Sequence, residues 1–302
     1  MSDRYAIGLD VGGTNIKAIA ISAAGRVLDD REQPTVDDDR AQWKSDAKNL
    51  VAQMEQAVGR PADAVGVCCP GIIAPHGRSV WWMLGKMEAL MGFEWAPYLE
   101  RTDVVPVYND AKAALLGEVH TGAAKGASNV VLLTLGTGVG GAVMCDGKLL
   151  NGHMGRAGHL GHMSVNFDGP PDLARTPGAI EYEIGQNSVA DRTGGRFEDT
   201  KALVEAHLQG DTRASEIWLR SVRALAAHIV SVINAVDPEV VIVGGGIAKS
   251  GSALFKPLND YLDQFEWRPF EHRVRIVEPT LGSDAGAIGA AYGAMAELSG
   301  SV

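Results

Sequence analysis

Residues 5–17 read Tyr5-Ala6-Ile7-Gly8-Leu9-Asp10-Val11-Gly12-Gly13-Thr14-Asn15-Ile16-Lys17, and this stretch decides the fold. Its first six residues form a short apolar run of the kind that makes a buried strand. Gly12-Gly13-Thr14 is a glycine turn, and residues 16–21 are apolar enough for a second strand. Such a turn lets backbone N–H groups approach phosphate oxygens, and the Thr14 hydroxyl adds a donor. Asp10, at the strand tip, is placed to hold a metal ion directly or through water. Taken alone, the same turn is equally a plain β-hairpin. Lys17 reads most simply as a solvated strand lysine and second as a phosphate contact.

The theme recurs far along the chain. Residues 129–135 form a strand, followed by Gly136-Thr137-Gly138 and a further strand through Val139-Gly140-Gly141. Two strand–turn–strand units in separate halves point to a duplicated architecture, with two lobes clamping one polyphosphate. A third bare-backbone turn, Gly244-Gly245-Gly246-Ile247, follows a strand at 240–243. It lacks the G-x-G-x-x-G spacing of a dinucleotide fold and suits either a flat nucleoside surface or an ordinary strand–helix turn.

The remaining elements alternate. Gly25 marks a hairpin to a short third strand around Val27, and Asp37-Asp38-Asp39 is a solvated loop. Residues 45–58 carry apolar positions at helical spacing. A strand at 65–69 ends at Pro70-Gly71, and another at 104–108 leads to Asn109-Asp110. Helices are expected at 111–120 and 214–236, a last strand at 273–277, and a small-residue helix at 285–298 capped by Asp284. The class is α/β.

Composition excludes several alternatives. The 302 residues include 27 Lys plus Arg and 37 Asp plus Glu, a formal charge of −10, with 46% hydrophobic and 21% charged residues. That balance is too apolar for disorder and too acidic for non-specific binding to nucleic acid or anionic membranes. Three cysteines, Cys68, Cys69 and Cys145, make no disulfide framework. No signal peptide precedes the first strand. The uncharged stretch between Lys125 and Asp146 is broken by glycines and reads as two strands rather than a membrane span. A soluble, cytoplasmic protein is expected.

Two further clusters carry potential chemistry. In Asn109-Asp110 a carboxylate opening a helix can accept a proton from a hydroxyl attacking phosphorus, or serve as a helix cap. Gly158-His159-Leu160-Gly161-His162-Met163, with His153, offers either metal ligands or hydrogen-bond donors in a glycine-flanked loop.

Together these residues resemble the ROK (repressor, open reading frame, kinase) sugar kinases of the actin-like ATPase superfamily. The matching landmarks are D-V-G-G-T-N-I-K (10–17), N-D-A (109–111), L-G-T-G-V-G-G (135–141), G-H-M (161–163), D-P-E-V-V-I-V-G-G-G-I (237–247) and S-D-A-G-A-I-G-A-A (283–291). The resemblance implies a two-lobed, ribonuclease H-like duplication with a cleft between the lobes. They would be a small lobe at 1–111, a large lobe at 112–284, and a C-terminal helix at 285–302 packing back on the small lobe. It implies ATP and Mg2+ as cofactors, a sugar as the other substrate, a homodimer, and no nucleic-acid or membrane partner. Asp110 would be the general base acting on a hexose hydroxyl, usually the 6-position, and Asn109 would hold a neighbouring hydroxyl. Gly12, Gly13, Thr14 and Lys17 would contact phosphates from one side, and Gly136, Thr137 and Gly138 from the other. Asp10 would position Mg2+, Gly245 and Gly246 would border the adenosine, and His159, His162 and Glu181 would line the sugar.

The chain also departs from the family pattern. The usual E-x-G-H is His159-Leu160-Gly161-His162, exchanging a carboxylate that accepts two bonds for an imidazole that accepts one and donates one. The zinc segment C-x-C-G-x-x-G-C-x-E aligns with residues 172–181, where Asp172, Ala174 and Ala179 replace the cysteines while Gly178 and Glu181 remain. Structural zinc is therefore expected to be absent. An Asn-Leu pair common near Trp81-Trp82-Met83-Leu84-Gly85 lacks its asparagine. Trp81, Trp82 and Trp95 are alternative sugar platforms or core residues. The expected activity is ATP-dependent phosphorylation of glucose or a related sugar. The alternatives are another acceptor (an acylamino hexose, mannose, fructose or a polyol), polyphosphate as donor, or a non-catalytic sugar sensor.

Overall fold

The computed structural model describes residues 4–38, 40–83, 85 and 87–300. Asp39 of the acidic loop, Leu84 of the tryptophan stretch, and the expected lobe ends at 1–3 and 301–302 lie outside the described residues. The chain runs β1 (Tyr5–Val11), β2 (Asn15–Ser22), β3 (Val27–Pro34), α1 (Trp43–Val58), β4 (Ala64–Cys69), β5 (Ile72–Ile73), β6 (Val80–Trp82), α2 (Trp95–Tyr98), β7 (Val107–Asn109) and α3 (Asp110–His120). It continues with β8 (Val130–Leu135), β9 (Val139–Cys145), β10 (Lys148–Leu149), α4 (Ile180–Ile184), α5 (Val189–Arg192), α6 (Thr200–Leu208) and α7 (Thr212–Val236). Last come β11 (Val240–Gly244), α8 (Ser252–Phe265), β12 (Arg275–Val277) and α9 (Ala285–Leu298).

Two compact units result. The first comprises Met1–Ala127, Lys148–Gly158 and Pro279–Val302, the second Ser128–Gly147 and His159–Glu278. Helix α3 thus groups with the first unit, whereas the sequence reading drew the lobe boundary at residue 111. The cause is packing along α9: a Cβ on Gly289 would lie 1.7 Å from the Ala113 carbonyl oxygen.

The first unit's sheet has the order β3-β2-β1-β4-β7. Its β1–β2 and β2–β3 pairs are antiparallel, and its β1–β4 and β4–β7 pairs are parallel. Strand alternation sorts β1 between two faces. Ile7, Leu9 and Val11 join Trp43, Leu50 and Met54 in one core. Ala6, Gly8 and Asp10 point the other way, toward α9. There the helix lies backbone to backbone on the sheet. A Cβ at Gly8 would fall 1.8 Å from Ala287 O, and one at Gly66 2.1 Å from Ala290 O. Glu118, fully buried on α3, accepts N–H bonds from Ala123, Thr280 and Leu281 and so fixes the chain entering α9.

The second unit repeats the pattern. Its strands β9-β8-β11-β12 match β2-β1-β4-β7 in order and sense, an antiparallel pair followed by two parallel ones. Val131, Leu133, Leu135, Val241 and Val243 face a core filled by α7 and α8. Trp218 on α7 donates its indole N–H to Ala253 O at 2.9 Å. Helix α7 is long and apolar enough to cross a membrane by length and composition, and half of its most apolar window is buried within the fold. The uncharged stretch before Asp146 forms the β8–β9 pair, as its glycines indicated.

Several boundaries move for physical reasons. Strand β3 extends to Pro34 rather than staying short, as a charged edge (Asp29, Asp30, Arg31, Glu32) that discourages further pairing. Strand β7 begins at Val107 rather than 104, directly after Pro106, which has no N–H to donate to a ladder. Strand β12 begins at Arg275. Asp284 occupies the cap position of α9 without a capping bond; its carboxylate accepts from Lys17 Nζ at 2.5 Å instead.

His228 on α7 is fully buried, and neither ring nitrogen has a hydrogen-bond partner among the described residues. Burial lowers its pKa from 6.5 to about 4. Above the ordinary value both folded and unfolded states are neutral and nothing is lost. As pH falls from there toward about 4, the unfolded chain takes up a proton that the native state refuses, so stability declines. Urea melts at about pH 7 and about pH 5 should therefore differ by roughly 2 kcal/mol more in the wild type than in His228→Leu. Equal pH slopes for the two proteins would remove His228 as the cause.

Candidate functional site

In the first unit, strand register assembles the polar residues. Asp10 pairs with Cys68 across β1 and β4, and Cys69 pairs with Asn109 across β4 and β7. Asp10 thus stands at the carboxyl end of β1 and Asn109-Asp110 at that of β7, on either side of the parallel strand β4, where open α/β sheets present ligand sites. The Asp10 pKa is raised to about 6, chiefly by desolvation and further by the charge of Asp110, against an opposing hydrogen bond from the Cys68 thiol. Gly286 of α9 lies so close that a Cβ there would sit 2.6 Å from Asp10 Oδ2.

The adjoining turn is held from behind. Gly12 N–H donates to Asn15 O at 3.0 Å, Thr35 Oγ1 donates to Gly12 O at 2.6 Å, and Thr35 N–H donates to Thr14 O at 2.8 Å. Gly13 and Thr14 are exposed and free to face a ligand. Lys17 is not a solvated lysine. Its Nζ contacts Asp284 at 2.5 Å, Ser283 at 3.1 Å and Glu32 at 3.6 Å. Burial works to lower its pKa, but the bond to Asp284 and the two carboxylate charges prevail and raise it. A phosphate would have to compete with Asp284 for it.

Asn109 caps α3, as its position suggested: its Oδ1 accepts from Ala111 N–H at 3.1 Å. Its Nδ2 donates to Gly71 O at 3.1 Å, so the amide is fixed at both ends. Asp110 Oδ1 accepts from Ala111 N–H at 2.8 Å. Desolvation by surrounding protein raises the Asp110 pKa even though the side chain keeps exposed surface, and bonds from Ala111 and Asn109 oppose the rise. Two residues on, buried Lys112 donates to Asn151 Oδ1 at 2.9 Å and Gly155 O at 3.0 Å, tying the 151–155 turn to α3. Trp81 and Trp82 are 55% and 56% exposed, whereas Trp95 is 1% exposed and packs against Trp43 and Phe93. Trp95 is therefore a core residue and no sugar platform.

In the second unit, Gly136 N–H donates to Gly138 O at 2.9 Å, and Gln186 and Asn187 N–H groups reach Gly136 O and Thr137 O at 3.0 Å each. Glu181 Oε2 accepts from Val139 N–H at 2.9 Å, and a Cβ on Gly138 would lie 2.3 Å from that oxygen. Glu181 thus rests on the second glycine turn. Gly245, at φ 92°, packs on Leu135, where any side chain would meet the Leu135 carbonyl at 2.3 Å. The second and third glycine turns are therefore neighbours, with Gly246 exposed beside them.

Gly161 abuts the Val139 carbonyl, which seats the loop carrying half-buried His159 and His162 against β9. His162 Nδ1 pairs with Asp172 Oδ2 at 2.6 Å, and Asp172 Oδ1 accepts from Thr176 N–H at 2.8 Å. His162, Asp172 and Glu181 place one ligand atom each within 4.8 Å of one another. These donors do not fit a structural zinc: they number three, none is a thiolate, and both carboxylates already accept hydrogen bonds. Asp10 fits a cation better, since burial, with the charge of Asp110 nearby, disfavours its ionised form and a cation would offset that cost. Sequence reasoning missed Cys68, Asp284 and Lys112, whose roles arise from strand register and helix docking and carry no local signature.

A protein-family model described as ROK family matches residues 6–297. A glucokinase of Thermotoga maritima is 33% identical over 94% of this chain and 95% of its own. An N-acetylmannosamine kinase of Escherichia fergusonii is 31% identical over 96% and 98%. Among solved structures, a ROK hexokinase from Thermus thermophilus superposes with a TM-score of 0.85 at 28% identity, covering 98% of this chain and 99% of that one. A ROK glucokinase from Streptomyces griseus, in complex with glucose and AMPPNP, gives 0.70 at 26% identity over 96% and 99%.

Proposed function

The chain belongs to the ROK family and is a sugar kinase, and on that premise we propose that it transfers the terminal phosphoryl group of ATP to the 6-hydroxyl of a hexose, with Asp110 as general base. The observation that carries the proposal is the state of Asp110. Oδ1 is held by Ala111 N–H, the side chain keeps exposed surface, and desolvation makes the carboxylate more basic than usual. As the sugar hydroxyl attacks phosphorus, Oδ2 accepts its proton. Asn109, fixed by its bonds to Gly71 O and Ala111 N–H, would meet a neighbouring hydroxyl. The exposed N–H groups of Gly13 and Thr14, and those of the Gly136–Gly138 turn, receive phosphate oxygens, with Gly245 and Gly246 beside the adenosine. Mg2+ bound with ATP supplies charge neutralisation on the phosphates, and Asp10 is the residue that would hold it.

His159 and the fixed His162 are proposed to face the sugar together with Glu181. The relatives' names cover both a glucokinase and an N-acetylmannosamine kinase. The acceptor is proposed as glucose or an acylamino hexose, with His159 deciding between them. A cytoplasmic homodimer, with its 172–181 loop held without zinc, completes the proposal.

Asp110→Asn should lower kcat by about a hundredfold to ten-thousandfold while ATP affinity stays within about twofold. Near-wild-type turnover would sink the base assignment. Asp110 acts ionised and desolvation raises its pKa, so kcat/KM should fall on the acid side at a higher pH than an ordinary carboxylate would give. A profile flat to about pH 5 would count against it. An ADP-release assay over hexoses and acylamino hexoses identifies the acceptor, and His159→Glu should shift the glucose preference by about tenfold. An unchanged ratio would clear His159 of that role.

A further inference from the structure

The second unit contains a cavity of about 270 Å3 that none of the residues above explains. Tyr182, Glu183, Arg192, Arg213, Arg220 and Ser221 are among its lining residues. Arg192 is the unusual member. Its N–H groups go to Ser188 Oγ at 3.0 Å, Ser221 Oγ at 2.6 Å and Gly185 O at 3.2 Å, all neutral acceptors. It joins no ion pair among the described residues, and desolvation lowers its pKa to about 10. A guanidinium has five N–H donors, so two remain for a ligand.

Glu183 offsets this cation only in part, since desolvation prevails and Arg220 shares the carboxylate. Arg213 bridges Glu216 at 3.0 Å, and Arg220 approaches Glu183 at 3.8 Å. Both arginines are mostly exposed, 67% and 72%, and free to swing across the mouth. The lining thus holds three cations against two anions, with the excess at the most enclosed one. A partly buried cation with neutral partners is electrostatically unfavourable, and an anion would relieve it. The planar fork of arginine matches phosphate oxygens. The two carboxylates and the Tyr182 and Ser221 hydroxyls would instead meet ligand hydroxyl groups. The volume lies just below the usual range of about 300–1,000 Å3 for ligand pockets, room for one sugar ring and too little for a nucleotide.

We propose that this cavity is a second ligand site that takes the phosphate monoester of a polyhydroxy compound, the chemical class of a sugar kinase's product. The phosphate lies on Arg192, Arg213 and Arg220. Helix α4 carries the neighbouring residue Glu181 to the Gly138 turn and Tyr182 and Glu183 to the cavity.

Calorimetric titration of the full chain with glucose 6-phosphate tests the proposal. The wild type should bind two equivalents, one at the catalytic site and one here. Arg213→Ser combined with Arg220→Ser should remove one equivalent and leave kcat unchanged. Arg192→Lys, with its melting temperature checked, keeps the charge but loses the fork and should weaken the same event at least about tenfold. Orthophosphate should bind this site at least about tenfold more weakly than the sugar phosphate; equal binding would assign the cavity to free phosphate and overturn the sugar component. Binding in which no equivalent responds to the arginine variants overturns the site altogether. Inactivity on every sugar would instead strike the phosphoryl-transfer assignment and leave this binding event measurable.

Discussion

Backbone-to-backbone contact between α9 and the first sheet is the constraint on which the candidate catalytic geometry depends. Gly8 and Gly66, side by side on β1 and β4, each accept a helix carbonyl where any Cβ would collide. On the helix itself, Gly286 leaves room for the Asp10 carboxylate, and Gly289 meets Ala113 on α3. One helix therefore sets the position of Asp10 and of the helix that begins at Asp110. An added methyl at any of these places would move α9 as a body, because close-packed interiors yield little. Glu118 reinforces the arrangement by collecting the N–H groups that lead into α9. Removing its carboxylate would leave buried donors without partners, each at a cost of about 1–3 kcal/mol.

The second unit meets the same need with polar groups. Its glycine turn is backed by Glu181, whose carboxylate takes the Val139 N–H and fills the space a side chain at Gly138 would occupy. The Gly245 turn leans on the Gly136–Gly138 turn through Leu135. Small residues thus recur at both sets of strand ends where protein atoms approach the main chain too closely for a Cβ.

That recurrence is why so much was legible in the sequence. Glycine turns, strand runs and the Asn109-Asp110 helix start are local, so their signals survive without tertiary context. The β8–β9 pair, the α9 boundaries and the α3 cap could be read directly. What escaped depends on partners distant in the chain. Lys17 looked solvated because Asp284 is remote in sequence. Asp284 looked like a cap because its real partner lies on β2. Trp95 could be platform or core on sequence alone because the aromatic cluster that buries it comes from α1 and the loop before α2. Strand β3 looked short because its charges suit an edge strand, a role that only the assembled sheet defines. Arg192 carried no signal at all, since a lone arginine is ordinary until its environment proves neutral.

The loop carrying His162 shows how a lost motif changes the physics of a site without erasing it. Thiolates at positions 172, 174 and 179 would have tied the loop through a metal, and structural zinc is worth about 10–16 kcal/mol in small domains. Asp172 instead gives two charge-assisted bonds, to His162 and to Thr176 N–H, each worth about 1.5–3 kcal/mol. The imidazole is oriented through Nδ1, which pairs with Asp172 Oδ2. The rest of the loop is held less firmly, by Gly178 contacts and by Ser164 bonded to Pro177 O at 2.7 Å. Two nearby departures then act on different things. Asp172 holds His162 in place, and His159 changes which hydrogen-bonding pattern stands beside it. Under the proposed assignment a preference between a hydroxyl and an acylamino group would follow from the second, since only His159 exchanges an acceptor for a group that also donates.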